Sequence, residues 1–471
     1  MEPRPLQFFA SACGGTLLSG APTTPVLRVN TDSRTIQPGD LFVALAGEKF
    51  DGHEYVKHVA EKGAIAAVIS GHRAPGVLAQ LAPRAPLGLV TVTETRAALG
   101  RMAGSYRADF ALPIVAVAGS NGKTTTKELL ASILRQEGPT LWSEASFNND
   151  IGVPLTLLRL ESAHRAAVLE VGTNHPGELA PLVGLVQPRF GIITSIGREH
   201  LEYFRDLAGV AQEEGWLAEL LPADGALFIN GDSPMNEIIV QRTRCRVVLV
   251  GTGPNNSWRA VDLRPDERGV AFRVVTPRPD FAGEFRVNLL GRHQVTNALL
   301  ALATAAELGV SPDAARRGLE ACAPAKMRLQ VWRAGGITVL DDAYNANADS
   351  MLAALQTLRD FACTGRRVAV LGDMAELGEF TPQAHVEIGA QAAKLGVDLL
   401  VCVGRWASVT AESARATGLQ TVSEFALADD AASALPQTLR SGDVVLLKAS
   451  RSAALERVGE SLRTERANST I

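Results

Sequence analysis

The chain has 471 residues, 46% of them hydrophobic and 20% charged, with a formal net charge of −4. A chain this long divides into two to four domains, and its balanced charge offers no field for nucleic acid or an anionic membrane. Five cysteines, Cys13, Cys245, Cys322, Cys363 and Cys402, form no CxxC pair. That excludes a disulfide framework or a cysteine-rich zinc site and leaves five small buried hydrophobes in a reducing compartment.

The opening MEPRPLQFFASACGG is too broken for a signal peptide, and no apolar run reaches 18 residues. A cytoplasmic protein without a membrane span is expected. Asp40 to Leu45, Ala64 to Ser70 and Leu87 to Val92 read as strands, with helices over Glu54 to Lys62 and Thr95 to Tyr106, a small α/β unit. Pro113 to Ala118 is a buried strand, followed by a glycine-rich turn and a helix over Thr124 to Gln136. Further apolar strands are expected at Ala166 to Val171, Phe190 to Ser195, Gly225 to Asn230 and Arg246 to Val250. Apolar strands alternating with helices imply a mainly parallel sheet covered on both faces. Residues 258 to 290 alternate apolar and polar positions and predict antiparallel strands. A helix follows over Gln294 to Leu308, and Ser311-Pro312 turns into the next. A third α/β unit starts near 322, with strands at Ile337 to Asp341, Arg367 to Gly372, Leu399 to Val403 and Asp443 to Lys448. Its helix after Thr381 reads as capped by that threonine, with Pro382 at its first position.

The strongest local signal is Gly119-Ser120-Asn121-Gly122-Lys123-Thr124, set between a buried strand and a helix. Glycines allow a tight turn whose N–H groups meet phosphate oxygens, and the helix N-terminus adds positive partial charge. Lys123 can reach β- and γ-phosphates and the Thr124 hydroxyl a Mg²⁺ ion. Val117 stands where the full P-loop has its first glycine, so the loop is a shortened GxxGKT.

Other polar clusters sit at strand ends, where ligands bind in parallel sheets. Glu170 ends an apolar strand, as a metal ligand or a solvated acid, and Gly172 beside it suggests a close approach. His200 follows another strand, although a lone histidine is more often structural. Asn148 and Asn149 lie in a polar loop that is a site or a plain turn with equal weight. Asp341, Asp342, Tyr344, Asn345 and Asn347 precede a helix expected to be capped by Asp349 or Ser350. Lys448, Ser450 and Arg451 form a cationic turn suited to an anion or to an ordinary helix start.

These motifs resemble the Mur ligase family over nearly the whole chain. The segments are TDSRTIQPGDLFVAL at 31 to 45, GSNGKTTTKE at 119 to 128, SFNNDIGVPLTLL at 146 to 158 and EVGTNHPGE at 170 to 178. The likeness continues through TSIGREHLEYF at 194 to 204, GRHQVTNALLA at 291 to 301, DDAYNANADSM at 341 to 351, LGDMAELGE at 371 to 379 and KASRSAALE at 448 to 456. NNDIGVPLTLL, EVGTNHPGE, YNAN and GDMAELG are similar to the branch that adds D-alanyl-D-alanine.

The resemblance implies an α/β fold of three domains: 1–107 binding a UDP-substrate, 108–320 a central ATP-binding P-loop domain with a mainly parallel sheet, and 321–471 a Rossmann-like domain. It implies an ATP- and Mg²⁺-dependent, monomeric ligase that couples D-alanyl-D-alanine to UDP-N-acetylmuramoyl-tripeptide through an acyl phosphate. Gly119, Ser120, Asn121, Gly122, Lys123, Thr124 and Thr125 would cradle ATP. Thr124 and Glu170 would bind one Mg²⁺ and His200 a second. His293 and Asn297 would lie near adenine, and Arg328 and Asp342 would reach the nucleotide. Ser33, Arg34, Asp51, Gly52 and His53 would hold the uridine nucleotide. Asn148, Asn149, Tyr344, Asn345, Asn347, Ser450 and Arg451 would meet the peptide and dipeptide carboxylates. Several relatives place a carbamylated lysine fourteen residues after the metal-site histidine. Glu214 stands there and would supply the carboxylate itself, unless it is a solvated helical acid. The residues leave open another ligase of the family, tripeptide-forming or folylpolyglutamate synthase-like, and a regulatory P-loop NTPase.

Overall fold

A computed structural model describes residues 1–81 and 87–467; the last four residues of the expected third domain lie outside it. The chain divides into two compact units, and the division falls inside the strand Ile114–Ala118.

The first unit comprises Met1–Ala116, Gly138–Thr173 and Glu178–Phe190. Its five-stranded sheet runs Thr16–Ser19, Gly88–Val92, Ala66–Ser70, Asp40–Val43, Arg28–Asn30. The last four strands are mutually parallel and the first is antiparallel. Ala66–Ser70 is buried at every position, as expected of a central parallel strand. Phe42, Val56, Val59, Ile69, Val77 and Leu89 form one core beneath the helices Val56–Glu61 and Ala74–Gln80. The helix Thr95–Arg107 begins where the Glu94 carboxylate accepts from the N–H groups of Arg96 and Ala97. The same unit holds Thr140–Trp142 paired in parallel with Ala166–Glu170.

The second unit comprises Val117–Glu137, Asn174–Gly177 and the chain from Gly191 onward. Six of its strands run in the order Gly283–Val287, Gly269–Val275, Trp258–Asp266, Arg246–Gly251, Ala226–Asn230, Phe190–Ile193. The first three are antiparallel, as the alternating pattern predicts, and Ala226–Asn230, Arg246–Gly251 and Trp258–Asp266 pair in parallel. The helix Gln294–Glu307 is alanine- and leucine-rich, buried on nearly every side, and packs on Lys123–Leu134.

A separate six-stranded sheet runs Gln330–Ala334, Ile337–Asp341, Val444–Lys448, Arg367–Gly372, Leu399–Val403, Val422–Phe425. All are parallel except Gln330–Ala334. Its core includes Val339, Val370, Val401, Leu435, Leu447 and Val458. Gln330–Ala334 and Val422–Phe425 escaped the sequence reading because both are edge strands, partly exposed and without an apolar run.

Two expected caps are corrected. Thr381 is the first residue of the helix Thr381–Lys394, not its cap, and its Oγ1 donates to the Gly378 carbonyl. Asn347, rather than Asp349 or Ser350, caps Ala348–Asp360; Ser350 completes a reciprocal capping box. No helix among the described residues is long and apolar enough to cross a membrane. The five cysteines are free thiols, four buried and Cys363 half-buried.

Candidate active site

The turn after Ile114–Ala118 owes its shape to two glycines. Gly119 has φ +111° and Gly122, the N-cap of Lys123–Leu134, has φ +90°, a region disfavoured for residues with a Cβ. Both also lie against neighbours. A Cβ on Gly119 would fall 2.5 Å from Thr194 Oγ1 and 2.8 Å from Thr194 N, and one on Gly122 would fall 2.4 Å from Asn297 Oδ1. Asn297 accepts from Thr126 Oγ1 at 3.3 Å and donates to Gln294 Oε1 at 2.8 Å, so it packs on the loop itself. His293, before that helix, sets its ring against Gly291.

Lys123 folds back on its own loop, with Nζ donating to the Gly119 carbonyl at 2.5 Å and lying 3.5 Å from Glu199 Oε2. Ser120, Thr124 and Glu199 are buried, and Thr125 is half-buried. Glu214, on the helix Leu207–Leu220, is fully buried. Its Oε2 accepts from Gly119 N at 2.7 Å, while Oε1 has no hydrogen-bond partner among the described residues. Burial pushes its carboxyl well above the ordinary value, against the pull of the Lys123 ammonium. A solvated helical acid is thus ruled out for Glu214.

The segment Ser195 to His200 is laced to the loop. Ser120 N donates to Ser195 O at 2.8 Å, Asn121 N to Ser195 Oγ at 3.0 Å and Gly197 N to Ser120 Oγ at 2.8 Å. The helix Ala348–Asp360 meets it. Asn347 Nδ2 donates to Asn121 Oδ1 at 3.0 Å, and Arg198 N and Nε donate to Asp349 at 2.7 and 2.9 Å. Arg198 Nη1 also lies 2.6 Å from Glu387 Oε2. His200 Nδ1 sits 2.5 Å from Glu376 Oε2. Sequence reasoning missed Arg198, Glu199 and Glu376; the REH run at 198 to 200 and the GDMAELG motif were their only signals.

A second cluster forms at the C-terminal ends of the paired strands Ile337–Asp341 and Val444–Lys448. The buried Lys448 lies 2.5 Å from Asp342 Oδ2 and donates to the Asn345 carbonyl at 3.1 Å. Asp342 Oδ1 accepts from Leu329 N at 3.1 Å, and the Arg328 guanidinium lies 4.4 Å from the Tyr344 ring centre. Ser450 Oγ donates to the Ala346 carbonyl and accepts from Ala375 N, whereas Arg451 is exposed beside Glu456.

Within the first unit, Glu170 is buried and its Oε1 accepts from Asn148 Nδ2 at 2.9 Å. A Cβ on Gly172 would fall 2.7 Å from that Nδ2, so the close approach at this glycine is made by Asn148. Asn149 Oδ1 accepts from Gly152 N at 2.9 Å and starts the helix Gly152–Leu157. Asp51 caps the short turn Gly52–Tyr55. His53 Nε2 accepts from Ser70 N at 2.9 Å and its Nδ1 lies 2.6 Å from Asp51 Oδ1, which puts the ring proton on Nδ1. Ser33 and Arg34 are joined to Lys62 through their carbonyls. Arg34 is highly exposed and paired with Asp32.

A buried strand, a positive-φ glycine turn and a helix, with a further parallel sheet downstream, define an α/β protein of the phosphate-loop class. Residues 26–107 match the Mur ligase family, catalytic domain; residues 117–305 match the Mur ligase middle domain; residues 327–451 match the Mur ligase, glutamate ligase domain. The UDP-N-acetylmuramoyl-tripeptide–D-alanyl-D-alanine ligase of Bacillus subtilis is 32% identical, covering 98% of this chain and 99% of its own. The enzyme of the same name from Mycobacterium tuberculosis is 38% identical, covering 92% and 91%. A crystal structure of MurF from Acinetobacter baumannii superposes with a TM-score of 0.88 at 32% identity, covering 99% and 100%. The chain belongs to the Mur ligase family.

Proposed function

We propose that this chain is an ATP-dependent ligase that joins D-alanyl-D-alanine to UDP-N-acetylmuramoyl-tripeptide in peptidoglycan precursor synthesis. The observation that carries this reading is full-length likeness to relatives of that name, at 32% and 38% identity. The peptide carboxylate attacks the γ-phosphorus of ATP and displaces ADP, because phosphate leaves an acyl carbon far more readily than oxide. The dipeptide amine then attacks the acyl phosphate, and the tetrahedral adduct collapses to amide and phosphate.

In this reading the residues from Gly119 to Thr125 hold the triphosphate, with Lys123 leaving its loop carbonyls to neutralise charge on the transferring group. His293, Asn297, Arg328 and Asp342 serve the nucleotide. Ser33, Arg34, Asp51, Gly52 and His53 serve the uridine end. Asn148, Asn149, Tyr344, Asn345, Asn347, Ser450 and Arg451 serve the peptide carboxylates.

Thr124, Glu170 and His200 would hold Mg²⁺, and Glu214 would supply the carboxylate that relatives obtain from a modified lysine. The buried, partnerless Oε1 of Glu214 fits a cation nearby. Among the described residues no three of His, Cys, Asp or Glu converge on one metal position. That also fits Mg²⁺, which takes one or two carboxylates and completes its shell with phosphates and water. When bound, the ion supplies charge neutralisation at the phosphoryl oxygens. The proposed domains are 1–107, 108–320 and 321–471, and the protein acts as a cytoplasmic monomer.

Phosphate release with UDP-N-acetylmuramoyl-tripeptide, with and without D-alanyl-D-alanine, tests the reading. Release that needs both substrates, with a product heavier by one dipeptide residue, is expected. Hydrolysis indifferent to both would instead mark a regulatory NTPase.

A further inference from the structure

We propose that Lys448 is a positioning residue for the nucleotide: its buried ammonium fixes the Asp342 carboxylate, which in turn holds the backbone that presents Arg328. The inference rests on the proposed nucleotide role of Arg328 and Asp342 and adds the group that orients them.

As a sequence, the turn at 448 to 451 suits an anion or a helix start; the fold gives its lysine to neither. The Lys448 side chain is only 3% exposed, and an ammonium persists at that depth where it is paired. Nζ donates to Asp342 Oδ2 at 2.5 Å and to the Asn345 carbonyl at 3.1 Å. The two residues leave the paired parallel strands Ile337–Asp341 and Val444–Lys448 side by side, and Asp342 N donates to the Leu447 carbonyl at 2.9 Å.

The second oxygen of the carboxylate carries the effect onward. Asp342 Oδ1 accepts from Leu329 N at 3.1 Å, and Tyr344 N donates to the Met327 carbonyl at 3.2 Å. Met327 and Leu329 have φ +56° and +50°, a left-handed conformation that residues with a Cβ hold where the surroundings over-determine it. Arg328 lies between them, with its guanidinium 4.4 Å from the Tyr344 ring centre. A chain from ammonium to carboxylate to backbone N–H therefore sets this arginine. With the ammonium removed, Asp342 loses a charge-assisted hydrogen bond and is free to turn away from Leu329 N.

ADP binding with Mg²⁺, measured by titration calorimetry, tests the chain. Lys448→Met, similar in length and uncharged, should weaken ADP binding about 10- to 100-fold, the worth of a charge-assisted hydrogen bond. Under turnover the loss should fall on KM for ATP more than on kcat. Asp342→Asn should weaken ADP binding as well. The double variant leaves no charge unpaired, so the comparison stands even where Lys448→Met alone does not fold. It should bind ADP no more weakly than Asp342→Asn, because the lysine acts on the nucleotide through that carboxylate. A further loss in the double variant, or wild-type ADP affinity in a folded Lys448→Met protein, overturns the inference. If Arg328→Ala and Asp342→Asn both bind ADP as the wild type does, the nucleotide role of those residues is what fails, and the inference falls with it.

Discussion

Lys123 concentrates the chemistry at the residue scale, because an ammonium already held 2.5 Å from a loop carbonyl has a short path to a phosphate oxygen. Lys123→Ala should lower kcat by about 10²–10³-fold, the loss typical of a preorganised donor to developing negative charge. Phosphate release under saturating substrates measures it. Glu214 makes a different prediction. Its carboxyl is raised from an ordinary 4.5 to about 8 by burial, opposed by Lys123. Between those values the folded protein keeps a proton that the unfolded chain has lost. Stability from this group is therefore complete below pH 4.5 and is lost as pH rises through about 8. Glu214→Gln, uncharged throughout, should melt above the wild type at pH 8 and no higher at pH 4, in the absence of nucleotide, while losing turnover. Calorimetry across that range decides; a variant melting lower at pH 8 would mean the carboxylate is stabilised rather than strained there. The GxxGKT spacing made Lys123 legible in the sequence. The burial of Glu214 was not legible, because adjoining Glu213 and Glu214 read equally well as a solvated face.

The loop's two glycines behave differently as parts of one element. Gly122→Ala puts a Cβ against the end of the Asn297 side chain, which can turn away, whereas Gly119→Ala meets the Thr194 backbone nitrogen, which cannot. Both add the strain of a left-handed alanine, roughly 1–2 kcal/mol. Urea unfolding should show Gly119→Ala as the more destabilised, and its nucleotide affinity should fall further. Equal losses would mean that backbone strain alone governs the turn. Among the helices, the one starting at Ala348 shows how a cap is misread. Asn347, Asp349 and Ser350 can all cap, and only the fold shows Asp349 drawn off by Arg198 while Asn347 and Ser350 close the box.

At the scale of the whole molecule, Arg198 ties the segment that follows Phe190–Ile193 to two helices of the downstream sheet, through Asp349 and Glu387. The three side chains are 31%, 37% and 34% exposed, so screening limits the pair's worth. A double-mutant cycle over Arg198→Ala and Asp349→Ala should return a coupling of about 1 kcal/mol at low ionic strength. It should shrink in molar salt, where the Debye length is about 3 Å. A coupling unchanged by salt would point to packing instead of charge.

Element types and chain order could be read from sequence alone: apolar runs must be buried, and their period and breakers say whether as strand or helix. So could the phosphate loop, whose residue types and spacing are local. Edge strands, the true caps, the burial of Glu214 and the meeting of His200 with Glu376 were decided by tertiary structure. Each depends on which distant groups share a small volume, and a linear spacing does not encode that.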